Sequence, residues 1–325
     1  MNLLYRFSAN KSSKIYRLLS TSILLLSSNT STHFTRAYST MSPYTITRSG
    51  TTITLQPKDS ASQSGLLVIS HGLGDSASGF EDVAKMIATQ MPHLKIVLPT
   101  APTQPVTMNM GMPMNSWYDI TGLDERSNEN CKGIQESRQT IVDILEKEHE
   151  ESKLGYDRMV LMGFSQGGAL SLFTGLQLKA EQKLAGIVCM SGYLAARAQF
   201  KLTKGLEDTP ILHCHGEADP MIQVGMAQKS QGIVIEEGCT NYELKTYRGL
   251  PHSVNMEEIE DIQKFLAKVL PDSEDHKVTL KDPSDMSIKE LKAAIRNAGI
   301  GNKAVGLMEK SEFVKLVQDH RNGKL

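Results

Sequence analysis

A mostly parallel α/β sheet with helices on both faces, followed by a small helical module, is the fold class that this sequence predicts. Three observations lead there. From Thr45 onward, short β-rich runs alternate with helical patterns for about 200 residues, the signature of a parallel sheet. Within that stretch a serine sits between glycines, directly after an apolar run and directly before a helical one. After Pro271 the chain turns polar, then recovers as two short amphipathic segments.

The first forty residues stand apart. No Asp or Glu precedes Asp59, while Arg6, Lys11, Lys14, Arg17 and Arg36 are spread among Ser and Thr. Such a basic, Ser-rich, acid-poor leader reads as a mitochondrial or other organellar transit peptide over residues 1–41. A secretory signal is the rival, but its apolar core would be only Ile23-Leu-Leu-Leu26. A start at Met41 would give a cytoplasmic form. No apolar run has the length of a transmembrane helix, so a soluble protein is expected.

The catalytic-scale domain is placed at 42–271. Thr45–Arg48 and Thr51–Gln56 suggest an opening hairpin around Gly50. Strands are expected at Leu66–Ser70, Lys95–Leu98, Met159–Phe164, Ala185–Met190, Ile211–Cys214 and Glu243–Tyr247. Helices are expected at Phe80–Gln90, Gly133–His149, Gln166–Leu178, Ile222–Glu236 and Met256–Val269. In such sheets reactive groups gather at the carboxyl ends of the strands.

Gly163-Phe-Ser-Gln-Gly167 has the strand, sharp turn and helix context of a nucleophile elbow. The turn crowds neighbouring backbone, so the positions two residues either side of Ser165 must be tiny. A hydroxyl nucleophile needs a general base, and the base needs an orienting carboxylate. In the hydrolase order Ser, Asp or Glu, His, the aspartates between Ser165 and His252 are Asp208 and Asp219. Asp208 precedes a strand and belongs to the wrong end of the sheet. Asp219 follows that strand, with Glu217 a second choice. Of His252, His276 and His320, only His252 comes just after a strand, so the expected triad is Ser165, Asp219 and His252. Backbone N–H groups of Gln166 and of Leu73, in the loop His71-Gly-Leu-Gly-Asp75, are the expected oxyanion donors.

The motifs His71-Gly-Leu-Gly-Asp75, Pro105-Val-Thr-Met-Asn-Met110, Ser116-Trp-Tyr-Asp119, Gly163–Ser171, Cys214-His-Gly216 with Asp219-Pro220, and Pro251-His252 occur in order. Together they resemble the acyl-protein thioesterases, lysophospholipase-like carboxylesterases of the α/β-hydrolase fold, over roughly residues 50–271. The resemblance implies hydrolysis of a long-chain fatty-acyl thioester, as in S-acylated protein depalmitoylation, or of a related ester through an acyl-enzyme. It implies the same triad and oxyanion donors, with no cofactor. The substrate would be an S-acylated protein or a lysophospholipid or other ester. A lysophospholipase or general carboxylesterase is the alternative within this chemistry. A non-catalytic binding protein acting through its tail is the alternative outside it. Two departures stand near the expected acyl entrance: Asn115 where many members have proline, and the segment Leu123–Asn128. Neither Met1-Asn2 nor Met41-Ser42 offers the lipidated Met-Gly-Cys start of some relatives.

Other residues have two readings. Met108, Met110, Met112 and Met114 alternate, either as an adaptable acyl-chain lining or as an ordinary core or edge segment. Trp117 is a packing residue or a substrate contact. His71 and His215, each before a glycine at a strand end, are expected to shape loops, and no metal site is expected. Four cysteines without paired spacing suggest a reduced chain, and a net charge of −1 gives no global case for nucleic acid.

Residues 272–284 read as a polar linker and 285–325 as a small SAP-like helix, loop, helix module. Ser287 and Glu290 form a capping box, Gly299 can close the first helix, and Phe313, Leu316 and Val317 mark the second. Interspersed acids argue against nucleic acid and for a protein partner.

Overall fold

The computed structural model describes residues 42–122, 130–322 and 324–325. The expected leader (1–41) and the Leu123–Asn128 departure lie outside the described residues. The strands are β1 (Tyr44–Ser49), β2 (Thr52–Pro57), β3 (Gly65–Ser70), β4 (Leu94–Leu98), β5 (Thr103–Val106), β6 (Met112–Asn115), β7 (Met159–Phe164), β8 (Gly186–Met190), β9 (Ile211–Gly216) and β10 (Tyr242–Tyr247). The helices are α1 (Glu81–Gln90), α2 (Ile134–Ser152), α3 (Gln166–Gly175), α4 (Val224–Glu236), α5 (Met256–Val269), α6 (Ile288–Asn297) and α7 (Lys310–Arg321).

Eight strands form one sheet in the order β1-β2-β4-β3-β7-β8-β9-β10. The opening hairpin is antiparallel, and every pairing from β4 to β10 is parallel. Every residue of β3 is buried, as a central strand covered on both faces requires. Alternate side chains serve two cores. Leu66 and Val68 join α2 and α3 residues such as Ile141 and Phe173 on one face. Leu67 and Ile69 join Ala84 and Ile87 of α1 and Ile262 and Leu266 of α5 on the other. Helix α3 is buried at every position, so it has no polar face to turn to solvent.

The methionine run Met108–Met114 is not one regular element. Thr107–Asn109 is a short 3₁₀ turn, and Met110 is left-handed (φ 57), before the chain returns as β6 against β5. Met110 and Met112 consequently stand 89% and 53% exposed, while Met108 is half-buried against the core. Residues 272–284 form a strap held against the larger core. Val278 is buried in the larger core, and the amides of Val278 and Thr279 donate to the Gln63 and Ser152 carbonyls. Arg158 holds the Ser64 and Pro271 carbonyls at 2.8 and 2.5 Å, tying the end of α5 to the start of β3.

The terminal helices close on a core of their own: Met286, Leu291, Ile295, Phe313, Leu316 and Val317. The Ser287–Glu290 capping box forms, and Gly299 (φ 68) follows α6, close to Thr47 of β1. Among the described residues no helix is long and apolar enough to cross a membrane. No group of three or more His, Cys, Asp or Glu there could hold a metal ion.

Candidate active site

The site lies at the carboxyl ends of the parallel strands. Ser165 follows β7 with φ 54 and ψ −117, a region that a non-glycine residue occupies at a cost of about 1–3 kcal/mol. The surrounding chain forces this turn. A Cβ at Gly163 would stand 2.2 Å from the Gly167 carbonyl oxygen, and one at Gly167 would stand 2.1 Å from that of Ser70. Strand, turn and helix therefore cross in contact. The Ser165 amide donates to the Met190 carbonyl at 2.7 Å, which ties the elbow to β8.

The loop after β10 brings His252 to Ser165, and the loop after β9 brings Asp219 to His252. His252 Nε2 faces Ser165 Oγ at 3.0 Å, and His252 Nδ1 faces Asp219 Oδ2 at 2.6 Å. The Asp219 side chain is fully buried and that of His252 is one-fifth exposed. The imidazole lies against the Phe164 ring, with centroids 4.9 Å apart. Met221 and Ile222 donate their amides to Asp219 Oδ1 at 2.8 and 2.9 Å. Burial alone would push the Asp219 carboxyl up, but the bonds from His252, Ile222 and Met221 outweigh it and hold it below the usual carboxylate range. With the carboxylate fixed on Nδ1–H, the bare Nε2 can take the proton of Ser165 as its oxygen attacks a carbonyl.

The other candidates fall elsewhere. Asp208 is at the opposite end of β9, paired with Lys183. Glu217 accepts from Thr246 Oγ1 and does not reach His252. His276 bonds Ser273 on the surface strap, and His320 lies in α7.

Gln166 opens α3, so its N–H has no partner within the helix. Leu73 lies in the loop after β3, the strand beside β7. His71 fixes this loop. Its Nδ1 donates to the Gly72 carbonyl at 2.7 Å, and its Nε2 accepts the Ala101 amide at 3.0 Å. Burial lowers the His71 imidazole, against smaller raising contributions from the Gly72 bond and Asp75, in keeping with this neutral tautomer. Asn115 straps the same loop. Its carbonyl accepts the Gly74 amide at 2.8 Å, and its side-chain amide donates to the Asp75 carbonyl at 2.8 Å. A proline there could not make the side-chain bond, so the departure at 115 has a structural use.

Trp117, offered as a possible substrate contact, belongs to the core. It is fully buried, and its Nε1 donates to the His71 carbonyl at 2.8 Å. Sequence reasoning used only the backbone of Gln166 and missed its side chain. Gln166 Oε1 accepts the Trp117 amide at 2.9 Å, while Nε2 donates to Ser116 Oγ and the Tyr118 carbonyl at 2.9 and 2.7 Å. The residue after the nucleophile thus clamps the Ser116-Trp-Tyr118 segment. The signal was a long polar side chain at the start of a helix whose every residue is buried.

A family model described as Phospholipase/Carboxylesterase matches residues 52–270. The chain belongs to the phospholipase/carboxylesterase family. It is a hydrolase with an α/β-hydrolase fold. Acyl-protein thioesterase 1 of Mycosarcoma maydis is 37% identical over 235 residues, covering 68% of this chain and 97% of the relative. Acyl-protein thioesterase 1 homolog 1 of Dictyostelium discoideum is 37% identical over 215 residues, covering 66% and 94%. Among solved structures, Zea mays acyl-protein thioesterase 2 superposes with a TM-score of 0.59 at 26% identity, covering 68% of this chain and all of that one. Arabidopsis thaliana SOBER1 superposes with a TM-score of 0.56 at 29% identity, covering 63% and 99%.

Proposed function

We propose that this hydrolase cleaves long-chain fatty-acyl thioesters of S-acylated proteins, or related esters, through an acyl-enzyme on Ser165. The unbroken chain Ser165 Oγ, His252, Asp219 carries the reading. Ser165 attacks the acyl carbonyl as His252 takes its proton. The Gln166 and Leu73 amides receive the oxyanion. The protonated His252 then gives its proton to the departing thiol or alcohol, and water, activated by the same imidazole, releases the fatty acid. Likeness to relatives named acyl-protein thioesterases supports the thioester substrate. The family's own description, Phospholipase/Carboxylesterase, supports lysophospholipid or simple ester hydrolysis as the second reading. A non-catalytic role is disfavoured because every position of the triad is filled.

Turnover should be measured on paired thioester and oxyester substrates of rising chain length. Preference for long-chain thioesters supports the first reading. Preference for lysophospholipid, or for short oxyesters, replaces it with the second.

Residues 285–325 are read as a docking module for a protein partner, supported by a self-contained core and by Val305 and Met308, 82% and 85% exposed. Residues 1–41 are read as an organellar address from their composition. A fluorescent fusion of that segment that stays cytoplasmic would refute the second of these.

A further inference from the structure

The loop that carries Asp219 contains a buried histidine with no step in the reaction just described. His215 is the penultimate residue of β9, and its side chain is wholly inaccessible. Its Nε2–H donates to the Ile222 carbonyl at 2.8 Å, and the same nitrogen is 3.7 Å from Asp219 Oδ2. Its Nδ1 has no partner. An imidazole that donates from Nε2 and leaves Nδ1 bare is a neutral ring in one tautomer.

The groups around it are few. His213, two residues earlier on β9, presents its ring edge-on at 5.6 Å and has its own Nδ1 on the Tyr242 hydroxyl of β10 at 2.7 Å. Asp219 faces His215 from the loop, and His252 lies on the far side of Asp219. Burial lowers His215, outweighing the Ile222 bond and the Asp219 charge, which raise it. Burial also pulls His213 down to about 3. A charged imidazole at 215 would compete with His252 for Asp219; a neutral one can only hold the loop.

What it holds is specific. Residues 219–222 form a turn in which the Met221 and Ile222 amides both bind Asp219 Oδ1, leaving Oδ2 for His252. Ile222 is gripped through both of its backbone groups, its amide by Asp219 and its carbonyl by His215. The neighbouring Gly216 lets this loop touch the histidine loop, since a Cβ there would stand 2.2 Å from the Leu250 carbonyl oxygen. The Ala218 amide donates to that same carbonyl at 3.1 Å.

We propose that His215 is a positioning residue: by holding the Ile222 carbonyl it keeps both amides on Asp219 Oδ1 and so aims Oδ2 at His252. This rests on the triad reading given above. Loss of the grip leaves Asp219 in place but free to rotate, and misalignment of about 1 Å can cost on the order of 100-fold in rate.

The test compares His215→Gln, whose side-chain amide can still reach the Ile222 carbonyl, with His215→Asn and His215→Ala, which cannot. Turnover is normalised to sites labelled by a fluorophosphonate, so that misfolded protein is not counted. Asn and Ala should lower kcat on the order of 10- to 100-fold with KM within about twofold. They should also move the acid limb of kcat/KM to lower pH, because a loosened carboxylate supports the His252 imidazolium less. Gln should restore most of kcat and the limb. If Ala does not fold, the Gln–Asn pair decides. Equal kcat and pH profiles for Gln and Asn, or a lowered melting temperature with an unmoved limb, would overturn the proposal. Turnover that survives Ser165→Ala would instead overturn the triad reading beneath it.

Discussion

The carboxyl ends of the central strands and the helical pair of residues 285–325 belong to one compact unit, yet they are built differently. At the strand ends Ser165 and Ser191 hold positive φ, and Ser191, His213, His215 and Glu258 bury side-chain polar atoms that no partner satisfies. Among its described residues the helical pair has neither feature. The first helix begins with a complete capping box, the Glu312 carboxylate accepts the Glu309 amide at the start of the second, and positive φ falls on Gly299 and Gly306. The difference teaches where this chain departs from local consistency. Strain and unmet polar groups occur around the serine and at other places in the larger domain, such as Met110 and Arg138, whereas the appendage follows local rules.

The largest effect should come from crowding the strained end. Gly167→Ala would place a methyl 2.1 Å from the Ser70 carbonyl oxygen, and the atoms it meets are Ser70 and His71 backbone that cannot swing away. A loss above about 4 kcal/mol is expected, read as failure to fold or a collapsed urea midpoint. A stable, active Gly167→Ala protein would break the comparison.

Next is Glu258, in the first turn of α5 just after His252. It is fully inaccessible, both carboxylate oxygens lack partners, and burial raises its pKa to about 8. The folded state therefore keeps this proton while the unfolded chain loses it from about pH 4.5 upward. Its contribution is complete below that value and declines as pH rises towards about 8, by a few kcal/mol in all. Glu258→Gln should flatten the fall in melting temperature across this window. An unchanged slope would show that the carboxyl is not the source.

The smallest effect sharpens the contrast from the other side. Removing residues 285–325 should leave kcat/KM within about twofold, because an exposed module with its own core supplies no group to the site. Cutting after Pro271 also removes Val278 from the main core, which should cost about 1.5–3 kcal/mol of stability. Equal melting temperatures for the two truncations would contradict the strap described here.

The elbow was legible because its steric demand is written as glycines two residues either side of Ser165. Strand polarity then separated Asp219 from Asp208 and His252 from the later histidines. The Ser287 capping box was legible for the same reason, since local geometry fixes residue type. What escaped depends on distant contacts. Val278 and Leu280 are two apolar residues in a polar run, and only the fold shows the core that receives them. The methionine run kept two readings because the turn at Met110, left-handed at φ 57, has no mark in sequence. The grips of Gln166 on Ser116–Tyr118 and of Asn115 on Asp75 join loops far apart along the chain. Polar residues at those positions hint at bonding without naming the partner.

The central claim is that Ser165 is the nucleophile of an acyl-transfer reaction. Treating the folded protein with a fluorophosphonate and mapping the adduct by peptide mass spectrometry tests it most directly. A single adduct on Ser165 is expected, formed in step with loss of turnover and absent from Ser165→Ala and from heat-denatured protein. Folded, active protein that carries no adduct at Ser165, or that carries it on another serine, would contradict it.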